Sequence, residues 1–474
     1  MKKDIFGKAI LSGVLITALC ACGSTSASSG SAGSESAEET AAAEPEETSP
    51  AAEESTVFAG KGTTSETVLV DEADIKITAS EITYNEYAAK MDLTFENNTD
   101  KTLNFRCGNG MSSWNSTVTV NGYEFPDIDV YENVQPGETK SEELYIQADD
   151  FNTLGITDVA VMEFRFTVTD KNSSEIYLAT EPVRIETSSA SSYDLTEDTY
   201  QKAVQDGRFA EANHAVVKEF VTGSYFSQDG VNIISSVIAE NEGRTIIYFE
   251  LENVTDEIKN IGWSQFGLNR LIIEKTEEKK VSLNPHSRAV VPVIIENMIS
   301  REGLISLGIT DFTSAFFQVR SVDNDGNPLS GQTPVTIPFG EEAISGQEGE
   351  EVYNSSNIRI LSSGIEDSEQ FFKVLLTVSN NSSETIMVSD SGKALLVNGL
   401  QNAQDNYCVT VAPGQTGVMK IGIRKTDSSI ALDANGLTTD QIEIVETGVK
   451  VFREGENIYM DTPFETPDLV IHLK

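Results

Sequence analysis

From residue 66 onward the chain alternates. Runs such as "KMDLTFEN", "TIIYFELEN" and "FKVLLTVSN" place apolar and polar side chains on opposite faces, the period of a half-buried strand. Each run ends on asparagine and a polar turn: "NNTDK" from Asn97, "NVTDE" from Asn253, "NNSSE" from Asn380. Turn residues recur every eight to twelve positions, which predicts short strands joined by hairpins. Helical periodicity is confined to "YDLTEDTYQKAVQDG". There Asp194 and Glu197 stand at capping-box spacing and Gly207 supplies a stop, predicting a short helix at about 195–206.

The strand pattern occurs three times. "LGITD" at Leu154 returns at Leu307, 153 positions later, and a weaker "GLTTD" follows at Gly436. Asn121 precedes Pro136 by 15 residues, Asn269 precedes Pro285 by 16, and Asn398 precedes Pro413 by 15. Ordered landmarks at near-constant spacing mark an internal repeat. The expected organisation is an all-β chain of three tandem Ig-like β-sandwich domains, at 66–188, 229–342 and 352–474. A connector with the short helix fills 189–228. The second lacks the Pro-Gly turn of its siblings and the third lacks tryptophan. The antibody Cys–Trp–Cys pattern is absent, so the domains are Ig-like in architecture only. A brief acidic second junction suggests domains strung as beads with some freedom. In each LGITD segment Leu and Ile are expected to point inward, Gly to permit a tight bend and Asp to bind nearby amides.

The first 57 residues read differently. A positive start (Lys2, Lys3) leads into an apolar run from Ala9 to Ala21, too short for a comfortable membrane span. This signal peptide, 1–21, ends in "LCACGS", which resembles the bacterial lipoprotein signal, whose Leu-x-Ala/Gly-Cys box directs lipid attachment to its cysteine; that resemblance implies lipidation at Cys22, after Leu19 and Ala21, and Cys20 fits the box less well. From Ser24 to Val57 the chain is Ser, Ala, Gly, Thr, Glu and Pro, with eight glutamates and no cation. Such a segment buries too little to offset its entropy and reads as a disordered acidic tether spanning 22–57.

The net charge of −42 argues against nucleic acid as a partner, whose affinity comes from Lys and Arg on phosphates. After Cys22 only Cys107 and Cys408 remain, in different domains, so each domain must hold by core packing. They read as small buried hydrophobes. His214, His286 and His472 do not stand at metal-ligand spacing, and no nucleophile elbow, phosphate loop or dinucleotide fingerprint appears. The one metal candidate is "DNDGN", where Asp323, Asp325 and Asn327 could wrap calcium; the downstream acid of a true loop is missing and a tight turn is the simpler reading. Trp263 with Phe266, and Tyr123 with Phe125 and Tyr131, offer either a sugar-stacking platform or core; alternating strands favour core.

Together, "LCACGS", the strand–"ENNTDK"–strand run, "VNGYE", "VQPGET", "LGITDV" and "TEPVRI" resemble the surface lipoproteins of Gram-positive anaerobes that carry tandem Ig-like domains of unknown function. That resemblance implies lipidation and palmitate-type anchoring at Cys22 on the extracellular face of the cytoplasmic membrane. It supplies no catalytic residues. The expected function is non-enzymatic, without cofactor: three modules for binding, adhesion or envelope organisation, directed at an extracellular protein or glycan. Two alternatives come from other classes. One is an enzyme whose site would be a cleft of perturbed titratable groups in one domain. The other is a solute-binding lipoprotein serving a transporter, which would need helical periodicity this chain lacks.

Overall fold

The computed structural model describes residues 57–108, 116–274, 279–324, 326–341, 345–453 and 464–473. Signal, lipidation site and tether, Cys22 included, lie outside them, as do Trp114 and Asp325. Among the described residues no helix is long and apolar enough to cross a membrane.

The described chain is all-β but for short helices. It is organised in several sheets consistent with tandem β-sandwich units. In the first repeat, Thr67–Glu72, Ile75–Ala79, Thr83–Asn85, Ala88–Asn97 and Thr139–Gln147 form one sheet. Strands Leu103–Gly108, Asp129–Val134 and Val161–Asp170 build the facing layer. The inward residues of alternating strands meet between them: Ile77, Leu93, Phe95, Phe105, Phe164 and Phe166 are fully buried. Burying each such side chain contributes roughly 1.5–3 kcal/mol.

The sheets do not stop at the repeat boundaries. An 11-stranded sheet runs from the Thr117–Val120 and Tyr123–Glu124 hairpin of the first repeat into strands Arg288–Ile294, Arg244–Asn253 and Val231–Asn241 of the second and on to Val216–Gln228 of the connector. A 10-stranded sheet likewise joins the second repeat, through Leu271–Glu274, to Thr416–Arg424 and Phe371–Asn380 of the third. The apolar clusters cross as well. The first takes in Val237, Ala239, Tyr248 and Val290; the second takes in Leu375 and Val418; the third takes in Ile272 and Phe316. The expectation of loosely strung beads is therefore corrected: sheet hydrogen bonds and shared cores join the repeats into one body.

The connector differs in part from its expected form. Its first helix spans Thr199–Asp206 and stops at Gly207 in the left-handed conformation (φ +91°). A second helix, Arg208–Ala212, follows directly. Asp194 does not cap the helix; its Oδ1 accepts from the amide and hydroxyl of Thr196, forming a turn ahead of it. The rest is strand, because Val216–Gln228 pairs with Val231–Asn241. Nor is the segment a spacer. Tyr200, Ala203 and Phe209 are fully buried, with the Phe209 ring edge-on to Tyr200 and Tyr248.

Candidate functional site

Two asparagine clamps recur in each repeat and fix the geometry of everything near them. The first ends the long alternating strand. Asn97, Asn253 and Asn380 are fully buried. Each donates Nδ2 to the carbonyl four residues on (Lys101, Glu257, Glu384) and across to the strand before the proline turn. Each Oδ1 accepts from the amide and hydroxyl two residues on (Thr99, Thr255, Ser382). The Asn-x-Thr/Ser pattern reads as a glycosylation sequon; here the amide is a buried staple.

The second clamp sits in the hairpin. Asn121, Asn269 and Asn398 all adopt φ near +50°, a conformation Asn tolerates better than most residues. Each donates Nδ2 to a carbonyl of the LGITD segment or its counterpart (Asp158, Asp311, Gln441). Each Oδ1 then takes two successive amides: Ala160 and Val161, Thr313 and Ser314, Glu443 and Ile444. In LGITD itself, Leu caps a short helix and Gly155 or Gly308 turns left-handed. The Ile amide then returns to the helix, Ile156 to Phe151 and Ile309 to Leu304. Both Leu and both Ile are buried, as the spacing predicts. Asp158 binds the amides of Lys61, Gly62 and Val159.

These clamps place the junctions. In the first, Tyr123, two residues past its hairpin Asn, pairs in parallel with Arg288, three past the turn proline. In the second, Leu271 pairs in parallel with Thr416, and the offsets are the same. One docking geometry thus serves twice, with different side chains.

The first junction is polar and enclosed. The Arg288 amide donates to Gly122 O at 2.7 Å. Its guanidinium pairs with Asp198 of the connector helix and with Glu252 at 3.1 Å, and approaches the Tyr123 hydroxyl at 3.5 Å. Fully buried Glu250 stands 3.6 Å from it and accepts from Ser235 at 2.6 Å and Gln201 at 2.9 Å. Burial raises the Glu250 pKa despite these donors and Arg288. Glu124 accepts from the Asn284 amide at 2.8 Å and the Ser287 hydroxyl at 3.1 Å. Burial pushes it up to about 8, against those bonds and with Glu163 adding repulsion. Beside it lies an apolar cleft of about 300 Å³, with Phe125, Ile128, Ile246, Val290 and Ile294 among its walls.

The second junction carries a paired charge. Lys420, 5 % exposed, bonds the Met298 carbonyl and stands 3.7 Å from Glu366, also 5 % exposed. Glu366 also meets Lys373 at 3.3 Å and accepts from the Ser300 amide at 2.5 Å. Burial opposes its charge, but Lys420, Ser300 and Lys373 outweigh it and leave its pKa lowered.

The residues singled out in the sequence fall elsewhere. Asp323 and Asn327 close a turn in which both Asp323 oxygens accept N–H groups of Asn327, at 2.8 and 3.0 Å. Among the described residues no group of three His, Cys, Asp or Glu is placed to hold a metal. Trp263 and Phe266 pack in the second core against Phe249, and Tyr123 and Phe125 are buried; Tyr131 is exposed beneath Arg106. These rings do not form a common platform. Cys107 is buried and bonds Thr117 O, Cys408 is half-buried, and both are free thiols. His286 reaches Asp256 at 2.7 Å on the surface. The junction residues had one signal in the sequence: the second repeat's "NPHSR" departs from its siblings' "QPGET" and "APGQT". Asn284, Ser287 and Arg288 of that stretch are the ones that dock on the first repeat.

No family model and no curated protein matches the chain. Among solved structures, a bacterial ice-binding adhesin of 1.5 MDa, described for its host cell surface retention, is 11% identical. That match covers 81% of this chain and 90% of the adhesin chain, with a TM-score of 0.13. Red sea bream transglutaminase is 10% identical over 65% of this chain and 38% of its own, with a TM-score of 0.14. An elastase-activated Escherichia coli alpha-2-macroglobulin is 8% identical over 85% and 33%, with a TM-score of 0.14. Scores of this size define no shared overall fold.

Proposed function

We propose that this is a lipid-anchored surface protein. Cys22 carries the anchor on the extracellular face of the cytoplasmic membrane, and the acidic tether of 22–57 holds the folded part away from it. The three repeats are Ig-like modules that bind an extracellular protein or glycan, adhere, or organise the envelope, without catalysis and without nucleic acid. The observation that supports this best is the repeated junction. Two uses of one parallel pairing hold three modules at fixed mutual orientation, which suits display of a surface more than turnover of a substrate. The balance of −42 charges favours cationic or neutral partners over polyanions.

The test has two arms. Cys22→Ala should release the protein from the membrane fraction into the medium, and wild type should yield a lipid-modified N-terminal peptide by mass spectrometry. The purified chain, passed over wall glycan, mucin glycans and matrix proteins with and without calcium, should be retained saturably by one class. Retention by none, with an intact fold, overturns the binding reading.

A further inference from the structure

Strand register places one cross-strand row at the same point of every repeat. In the first it is Glu124, Thr119, Glu163 and Arg184. In the second it is Ile272, Gly267, Phe316 and Thr336. In the third it is Gln401, Leu396, Glu446 and Val470. Residues paired across antiparallel strands share a face. In the first two repeats the following repeat lies on the start of that row. Glu124 is buried and bonded to Asn284 and Ser287, while Ile272 and Phe316 belong to the third repeat's core. The edge residue beside the row is buried with it, Tyr123 at 3 % exposure and Leu271 at 0 %.

The third repeat keeps this device and leaves it open among the described residues. Leu400, two residues past Asn398, is the counterpart of Tyr123 and Leu271, and it is 45 % exposed. Its strand, Leu400–Asn402, is the last of a four-stranded sheet. Asn435 donates to the Gln401 carbonyl, one group of that edge. The row itself is apolar where water would favour polar residues. Val470, also 45 % exposed, stands where the siblings expose Arg184 and Thr336. Leu396 stands where they have Thr119 and Gly267. The opposite end of the array is finished differently, with Lys90, Asp92, Thr94 and Glu96 on the outward strand face. An unpaired edge is a template for another strand, and native proteins blunt the edges they do not use.

We propose that this edge and row dock an extended β-segment of a separate protein, added in parallel as Arg288 and Thr416 are added at the two junctions. The segment's amide donates to the Gly399 carbonyl, as Arg288 donates to Gly122. Toward the row it presents an apolar residue for Leu396 and Val470 and a cation for Glu446. The chain's own docking strand has that composition: Val418 enters the second repeat's core and Lys420 bonds the Met298 carbonyl. A second copy of this chain fits less well, because its matching strand face is the polar one of the first repeat and both copies carry −42 charges. The proposal rests on the surface-protein reading above and names one partner class for it. A peptide assay reads this face alone, while membrane release and ligand retention read that function, so either can fail without the other.

The full chain is titrated with a fluorescent peptide of residues 412–424, followed by anisotropy. The control is the same peptide carrying Val418→Asp and Lys420→Asp. The peptide should bind saturably in the millimolar range or tighter and the control should not. Bound peptide should slow hydrogen exchange at the Gln401 amide, the group a parallel pairing through Leu400 engages. Leu400→Lys and Val470→Lys replace exposed residues and keep the fold, and each should weaken binding at least tenfold. Absent binding with an intact fold overturns the proposal. Unchanged binding to Leu400→Lys does too, since the peptide would then be displacing its own copy at the second junction. So does self-association in sedimentation velocity that Leu400→Lys abolishes, which would assign the face to a second copy.

Discussion

The two junctions share a backbone and differ in charge logic. At the first, the buried acids Glu124 and Glu250 resist ionisation, and the two connector helices seal the site with Tyr200 and Phe209. At the second, Glu366 is held ionised by Lys420 and Lys373. The same face of the first repeat, where no junction forms, shows a third solution. Lys90, Asp92, Thr94 and Glu96 line it, with Lys90 paired to Glu143 and Thr94 bonded to Ser141. Polar residues at that face keep it in water, while Tyr248 and Leu375, the counterparts of Asp92, are buried at the junctions. Backbone geometry therefore fixes where repeats meet, and outward-facing strand residues decide whether they do.

The largest effect separating the junctions comes from deleting a buried partner. Lys420→Ala strips Glu366 of its buried cation and should cost about 3–5 kcal/mol, by urea unfolding. Phe209→Ala should cost a similar ~3–5 kcal/mol at the first junction. Limited proteolysis would then show early cleavage in the connector for Phe209→Ala only.

Next comes pH, with opposite signs. A raised carboxyl contributes stability that is full below its unfolded value, near 4.5, and is lost as pH rises through its folded value. The first junction should thus loosen between about pH 5 and 8, where Glu124, facing Glu163 and Arg165, gives up its proton. A tenfold difference in proton affinity between the folded and unfolded chain is worth about 1.4 kcal/mol. The lowered Glu366 works the other way: its stability is present above the ordinary glutamate value and lost below it. Hydrogen exchange read at each junction across pH should show these opposed trends; Glu124→Gln should weaken the trend at the first alone, leaving the part that Glu250 contributes.

A smaller effect lies in the clamps. Asn97→Ala, Asn253→Ala and Asn380→Ala each orphan buried backbone groups and should cost about 1–3 kcal/mol per group left unsatisfied. Similar values across the three by denaturant titration would confirm equivalent roles. The smallest concerns His286, which adopts φ +55° where its siblings have Gly137 and Gly414. His286→Gly should gain up to about 1 kcal/mol by relieving that backbone, read as a rise in Tm.

Much of this was legible in the sequence. Alternation and the Asn and Pro landmarks marked the repeat, because a strand's two faces and a turn's left-handed residue impose local rules. The buried Leu and Ile of LGITD followed from the same rules. The junctions were not legible, because a parallel pairing between Tyr123 and Arg288 leaves no local pattern. Glu250 reads as an outward polar residue of an alternating strand, and only the docked connector makes it buried. Until the sheet they cover is known, Tyr200 reads as one face of a linker helix and Phe209 falls beyond its Gly207 stop. The Pro-His-Ser-Arg departure was visible, but its reason lay in the neighbouring repeat.

The central claim is that the repeats form one body through these junctions. Hydrogen–deuterium exchange on the full chain tests it most directly, at the Arg288 amide bonded to Gly122 and the Ser300 amide bonded to Glu366. Protection at both comparable to the core strands Ala88–Asn97 and Phe371–Asn380 is the predicted result. Exchange at either amide as fast as in exposed turns would contradict it and return the repeats to independently moving domains.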